Sequence, residues 1–217
     1  MLELFGHPFS SYCWKALIAL YENDTPFVFR MADAEHPENA TRLQAISPQG
    51  KFPVLVEDGR AIFETSVIIE YLQLHHPGPV QLIPQEPEAA IDVRMLDRFF
   101  DNYVMTPMQA IVGNSIREEK DRSARNVADA QGILRRSYAW LERRLEGRAF
   151  VSGDFSLADC AAAPSLFYAD WIFPIGQEYS LLRAYRARLL ERPSISRCVE
   201  EARPYRHFFP LGAPDRD

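Results

Sequence analysis

Three side chains that could do chemistry stand together near the start of the chain, Ser10, Ser11 and Cys13 in the run Phe9-Ser10-Ser11-Tyr12-Cys13-Trp14-Lys15. A hydroxyl can cap a helix or donate to an anion, and a thiol can attack once it is ionised. The residues around them decide which role is open. Leu2 and Leu4 alternate as on a strand, whereas Cys13, Ala16, Leu17 and Leu20 recur at helical spacing. The period changes from 2 to 3.6 across the loop, so the group sits at a helix N-terminus with Ser10 or Ser11 as the cap. A serine cap contributes about 1 kcal/mol and needs no further role. Cys13 lies on the apolar stripe, and a cysteine facing the core is usually inert.

Other catalytic patterns lack their residues. The five histidines show no helical HxxxH spacing, so no metal is expected. There is no GxSxG elbow, Walker loop or dinucleotide GxGxxG. Cys13, Cys160 and Cys198 form no CxxC pair, which excludes a disulfide framework and fits a reducing cytoplasm. A formal charge of -6 and a pI near 5.4 argue against nucleic acid or an anionic membrane as partner. The N-terminal residues lack a basic segment followed by an apolar run, and no stretch approaches the roughly 20 apolar residues of a membrane span. A soluble cytoplasmic protein is expected.

The elements that must position the serines follow in order. After the first helix, Asn23-Asp24-Thr25-Pro26 reads as a turn and Phe27 to Met31 as a strand. A helical pattern over Pro37 to Ile46 leads to a third strand beginning at Phe52. Asp58-Gly59 marks a hairpin into Ala61-Ile62-Phe63, and Thr65 to His75 is a helix. The order βαβαββα is the thioredoxin-like arrangement. Four prolines between Pro77 and Pro87 mark a linker. All that follows reads as helix: Ala89 to Gly113, Ser123 to Leu145, Ala161 to Trp171 behind a Ser156 cap, Ser180 to Leu190 and Ser194 to Ala202. The expected organisation is a thioredoxin-like domain at 1–76, a linker at 77–88 and an all-helical domain at 89–217.

Three separated motifs give the chain a resemblance over nearly its whole length. Phe5-Gly6-His7-Pro8-Phe9-Ser10 resembles the strand-loop segment of phi-class glutathione transferases, and Ser10-Ser11-Tyr12-Cys13-Trp14-Lys15 the serine pair of the zeta class. Gly50-Lys51-Phe52-Pro53-Val54-Leu55, followed by Phe63-Glu64-Thr65 and Tyr71-Leu72, is similar to the family's cis-proline and glutamate-serine signatures. Ser156-Leu157-Ala158-Asp159 resembles its helical-domain capping motif. On these motifs the chain is identified as a serine-type member of the cytosolic glutathione transferases, in the style of bacterial members.

The resemblance implies that Pro53 is cis and that Val54 offers its backbone to the cysteinyl part of glutathione. It implies that Glu64 and Thr65 hold the γ-glutamyl end and that Phe52 and Lys51 stand nearby, with Lys51 a candidate for the glycine carboxylate. Asn39 and Arg42 are possible helpers. Ser10, five residues before Lys15, is the implied thiol donor, with Ser11 the alternative. The second substrate is expected between the domains, against Phe9, Tyr12, Tyr103, Met108 and Trp171, with Met105, Phe167 and Tyr168 as further wall candidates. A two-fold homodimer is also implied.

The implied chemistry is reachable in magnitude. A free thiol with a pKa of about 8.5 is only about 3 % thiolate at neutral pH. Lowering it by about two units needs about 2.7 kcal/mol, which one hydrogen bond to an anion and a helix N-terminus can supply. The reaction read from the sequence is attack of that thiolate on a small hydrophobic electrophile, with glutathione as co-substrate. The alternatives are a maleylacetoacetate-type isomerase, a peroxidase, or a non-catalytic protein that binds glutathione or hydrophobic ligands.

Overall fold

The computed structural model describes residues 1–217. Strands β1 (Leu2–Gly6), β2 (Val28–Met31), β3 (Val54–Glu57) and β4 (Arg60–Phe63) form one sheet in the order β2-β1-β3-β4. β1 runs parallel to β2, which requires a crossover, and helix α1 (Ser11–Glu22) supplies it. β3 pairs antiparallel with β1 and β4. The β3–β4 hairpin needs only Asp58 and Gly59, both at positive φ (48° and 83°), as the Asp-Gly pair predicts. Strand alternation divides the core: Leu2, Leu4 and Leu55 join the large cluster around α1, while Phe5, Val54 and Val56 pack with Leu43 of α2 (Pro37–Ile46). With α3 (Thr65–His75) this is the expected thioredoxin-like half.

The second half is helical. α4 (Pro87–Phe100) begins two residues before the predicted start, because Pro87 occupies the first helical position behind a Glu86 cap that accepts from the Glu88 and Ala89 N–H groups. It continues through a π-helical segment, Asp101–Met105, into α5 (Thr106–Ser115). α6 (Ala124–Arg144), α7 (Leu157–Ile172), α8 (Ser180–Leu190) and α9 (Pro193–Ala202) complete it. α7 is buried from Leu157 to Asp170, and its small residues let α1 and α4 approach closely. Its start is fixed by Asp159, which accepts from the Ser156 N–H at 2.8 Å and from the Tyr185 hydroxyl. α1 packs on α3, α7 and α9, so the helix that carries the serines lies at the seam of the two halves. No helix is long and apolar enough to cross a membrane.

Candidate functional site

Ser10 is the cap of α1: its backbone is extended and its Oγ accepts the Cys13 N–H at 3.3 Å. The hydroxyl hydrogen can therefore point down toward the Cys13 sulfur or out into the cleft. Ser11 is the first helical residue. The loop before them is held at every step. Trp14 Nε1 donates to the Pro8 carbonyl at 2.6 Å, Tyr168 donates to the Phe9 carbonyl at 2.8 Å, and the Phe9 N–H donates to His7 Nδ1 at 3.1 Å. Cys13 is a structural part of this loop. It is fully buried, accepts the His7 N–H at 3.4 Å, and burial pushes its thiol up to about 11. A Cβ on Gly6 would stand 2.7 Å from its sulfur, so that position requires glycine.

Two cavities open beside this loop. One, of about 440 Å³, is polar and is lined by Lys51, Phe52, Pro53, Glu64 and Thr65 together with Ser66, Arg98, Asp101 and Asn102. The Phe52–Pro53 peptide is cis. Val54, which the resemblance set against the cysteinyl part of glutathione, is fully buried and is not among the residues that line this cavity. No side chain caps α3, which leaves the N–H groups of its first turn for an anion. Glu64, just before that turn, holds a left-handed φ of 68° with ψ at 110°.

The other cavity, of about 410 Å³, is mostly apolar and is lined by Phe9, Ser10, Ser11, Met108, Val112 and Phe209, among others. Tyr12 and Gln109 line both cavities. They mark where a group held in one meets a group held in the other. Burial and the nearby Asp101 carboxylate push the Tyr12 phenol up to about 12, so it stays neutral.

The wall facing the helical half rests on an ion cluster that sequence reasoning missed. Lys15, 1 % exposed, places Nζ 2.5 Å from Asp97 and 2.9 Å from Asp101 and donates to Ser66 Oγ at 3.0 Å. Arg98 bridges Asp97 and Asp101 from the solvent side. Burial raises the Asp101 pKa against the opposing pull of Lys15. A signal was present, since Asp97 of α4 and Asp101, four residues on at the start of its π-helical continuation, interrupt an apolar face and Lys15 interrupts that of α1.

Some expected residues lie elsewhere. Tyr103 is 52 % exposed and lines a separate groove with Phe99 and Trp140. The π-helical turn resets the helical register, so the face extrapolated from α4 does not run on to Met108. Trp171 is screened by Phe209, which packs edge-on against it at 5.1 Å and takes its place on the groove. Met105 and Phe167 are core. Arg42 pairs with Glu3 and Asn39 donates to the Met31 carbonyl, so both serve the sheet.

Comparison with known proteins follows this geometry. The sequence model described as "Glutathione S-transferase, N-terminal domain" matches residues 4–80, and "Glutathione S-transferase, C-terminal domain" matches residues 119–188. The chain belongs to the glutathione S-transferase family. The crystal structure of a glutathione S-transferase from Methylobacillus flagellatus KT with GSH bound superposes with a TM-score of 0.81 at 27 % identity, over 91 % of this chain and 98 % of that one. A "Probable maleylacetoacetate isomerase" of Caenorhabditis elegans is 25 % identical, covering 77 % of this chain and 78 % of its own. "Glutathione S-transferase 1" of Dianthus caryophyllus is 28 % identical over 76 % of each chain. The thioredoxin-like half and the helical half of this chain are thus the two domains of a glutathione S-transferase.

Proposed function

We propose that this family member binds glutathione in the polar cavity, ionises its thiol beside Ser10, and directs the thiolate at an electrophile held in the apolar groove. The adjoining of a polar and an apolar cavity at Tyr12 and Gln109 carries this reading. The uncapped start of α3, with Glu64 and Thr65, suits the carboxylate and amino group of the γ-glutamyl end. Lys51 and Arg98 supply the polar cavity with positive charge. The thiol loses its proton to solvent, and the Ser10 hydroxyl turns outward to donate to the sulfur. The sulfur lone pair then forms the new C–S bond while the electrophile's leaving group departs with its electron pair.

Ser10→Ala should return the thiol pKa of bound glutathione toward about 8.5 and cut turnover of chlorodinitrobenzene by about one to two orders of magnitude. Ultraviolet titration of the thiolate and steady-state rates measure both. If Ser10→Ala changes neither while Ser11→Ala or Tyr12→Phe abolishes both, the donor is that residue.

We also propose a two-fold dimer. Phe63, Val67 and Leu74 on one half and Ile91, Met95 and Tyr103 on the other are exposed apolar residues. Val67 and Leu74 share one face of α3, as Ile91 and Met95 share one of α4, so two copies can cover each other's patches. Sedimentation as a monomer at micromolar concentration would refute this. The three buried free thiols and the need for reduced glutathione suit a cytoplasmic setting.

A further inference from the structure

The groove given above to the electrophile has a wall made by Gln109, Val112 and Gly113 of α5 and its C-cap Ile116, at i, i+3, i+4 and i+7. Gly113 stands out on that wall. Glycine is the least favourable helix residue after proline, so a glycine inside a helix calls for a reason. Gly6 and Gly78, outside helices, are kept for space, since a Cβ there would strike Cys13 or Asn23, and a Cβ on Gly132, the other glycine inside a helix, would come within 3.5 Å of the Arg136 side chain. At Gly113 a Cβ would meet nothing within 4 Å, and the backbone is not left-handed. Neither packing nor backbone conformation demands glycine. The free space above it belongs to the groove.

The groove has a second distinguishing feature: no Lys, Arg, His, Asp or Glu side chain lines it. The cations of the cleft, Lys51 and Arg98, line the other cavity. A carboxylate carried into this groove would lose water and find no charge partner.

Resting on the proposed function, we infer that Gly113 opens a bay for the second ring, or equal bulk, of a neutral aromatic electrophile, and that the groove rejects electrophiles bearing a carboxylate. Gly113 is thus a specificity-determining position, set by what it leaves empty. The inference separates this groove from a site for an anionic substrate such as the one in the name of the Caenorhabditis elegans relative.

Binding of glutathione conjugates tests this without turnover. Calorimetry would compare S-benzyl-, S-(naphthylmethyl)- and S-(carboxybenzyl)glutathione on the full chain and on Gly113→Ala and Gly113→Leu. The parent should bind the naphthylmethyl conjugate at least as tightly as the benzyl conjugate, and the carboxybenzyl conjugate at least tenfold more weakly. Gly113→Leu should weaken the naphthylmethyl conjugate at least tenfold and glutathione less than twofold. Gly113→Ala, the better helix former, should give an intermediate loss and guards against misfolding of the leucine variant. Equal affinity for the benzyl and carboxybenzyl conjugates would overturn the inference. So would a naphthylmethyl affinity indifferent to both substitutions, or no conjugate binding at all. If conjugates bind as expected but no electrophile is turned over, the transferase reading fails and the bay stands.

Discussion

Tyr168, in the C-terminal part of α7, donates its hydroxyl to the backbone carbonyl of Phe9 at 2.8 Å, across 159 positions of sequence. The bond joins the helical half directly to the loop that presents Ser10. Tyr168 also stacks edge-on against Phe9 at 5.5 Å, so a single residue sets both the backbone and the side chain at the floor of the apolar groove. Ser10, the proposed thiol donor, is therefore positioned by the other half of the molecule as well as by its own helix.

Removing that hydroxyl should uncouple stability from rate. Tyr168→Phe keeps the ring and loses one hydrogen bond, about 1 kcal/mol. A loop displaced by a fraction of an ångström can cost far more in rate. We expect kcat to fall about tenfold with KM for glutathione nearly unchanged, because the polar cavity proposed for glutathione is not lined by Phe9. Steady-state kinetics and thermal unfolding together check this. An unchanged kcat would show that the bond serves stability alone.

The Lys15 cluster should behave as a buried ion network. Lys15→Met leaves Asp97 and Asp101 without their interior cation, and breaking a buried pair from one side costs about 3 to 5 kcal/mol. Adding Asp97→Asn and Asp101→Asn should restore most of the loss, because no buried carboxylate is then stranded and Arg98, half exposed, keeps its water. Urea unfolding of the single and triple variants measures it. The deficit of the single variant should shrink as pH falls and Asp101, whose pKa burial already raises, takes up a proton. A deficit that does not change with pH would point to lost packing as its cause.

Much of the first half was legible in the sequence because its signals are local. The change of period at Ser10, the Asp58-Gly59 turn and the Thr65 helix start each act within a few residues, and the β-hairpin and α3 lie where they point. Of the residues that the resemblance implied for glutathione, Lys51, Phe52, Pro53, Glu64 and Thr65 line the polar cavity, whereas Val54 does not. The facing wall could not be drawn from motif residues. Arg98, Asp101 and Gln109 reach the cleft through the docking of α4 and α5 across the seam, and the π-helical turn between those helices rotates the faces that a continuous wheel would predict. The Phe208-Phe209-Pro210 wall is likewise set by tertiary contacts of a short irregular segment, which carries no periodicity to read.

Asp159 should leave a mark on the pH dependence of stability. Burial raises its pKa from 3.8 to about 6 despite its hydrogen bonds from Ser156 and Tyr185. The native state thus holds this proton more tightly than the unfolded chain does. That advantage is complete below about pH 4 and is lost as pH rises to about 6, a fall of about 3 kcal/mol. Asp159→Asn cannot titrate there. The difference in unfolding free energy between the two proteins should move by about that amount in the variant's favour between pH 4 and 7. Urea titrations at each pH give the comparison, and a flat difference would mean the carboxyl is ionised throughout.

Glu64 should trade stability for binding. Its φ of 68° lies where a residue with a Cβ is strained, at a cost of about 1 to 3 kcal/mol, and it borders the polar cavity at the start of α3. Glycine relieves that strain but adds about 0.5 to 1 kcal/mol of chain entropy to be lost on folding. Glu64→Gly should therefore be as stable as the parent or more stable by about 1 kcal/mol, whereas Glu64→Ala, which keeps the strain, should gain nothing. Both variants should lose glutathione affinity at least tenfold, because both remove the carboxylate proposed to meet the γ-glutamyl amino group. Thermal unfolding and calorimetry on the pair separate the backbone effect from the side-chain effect. Undiminished affinity in both variants would remove Glu64 from the binding site and leave the left-handed turn as a purely architectural feature.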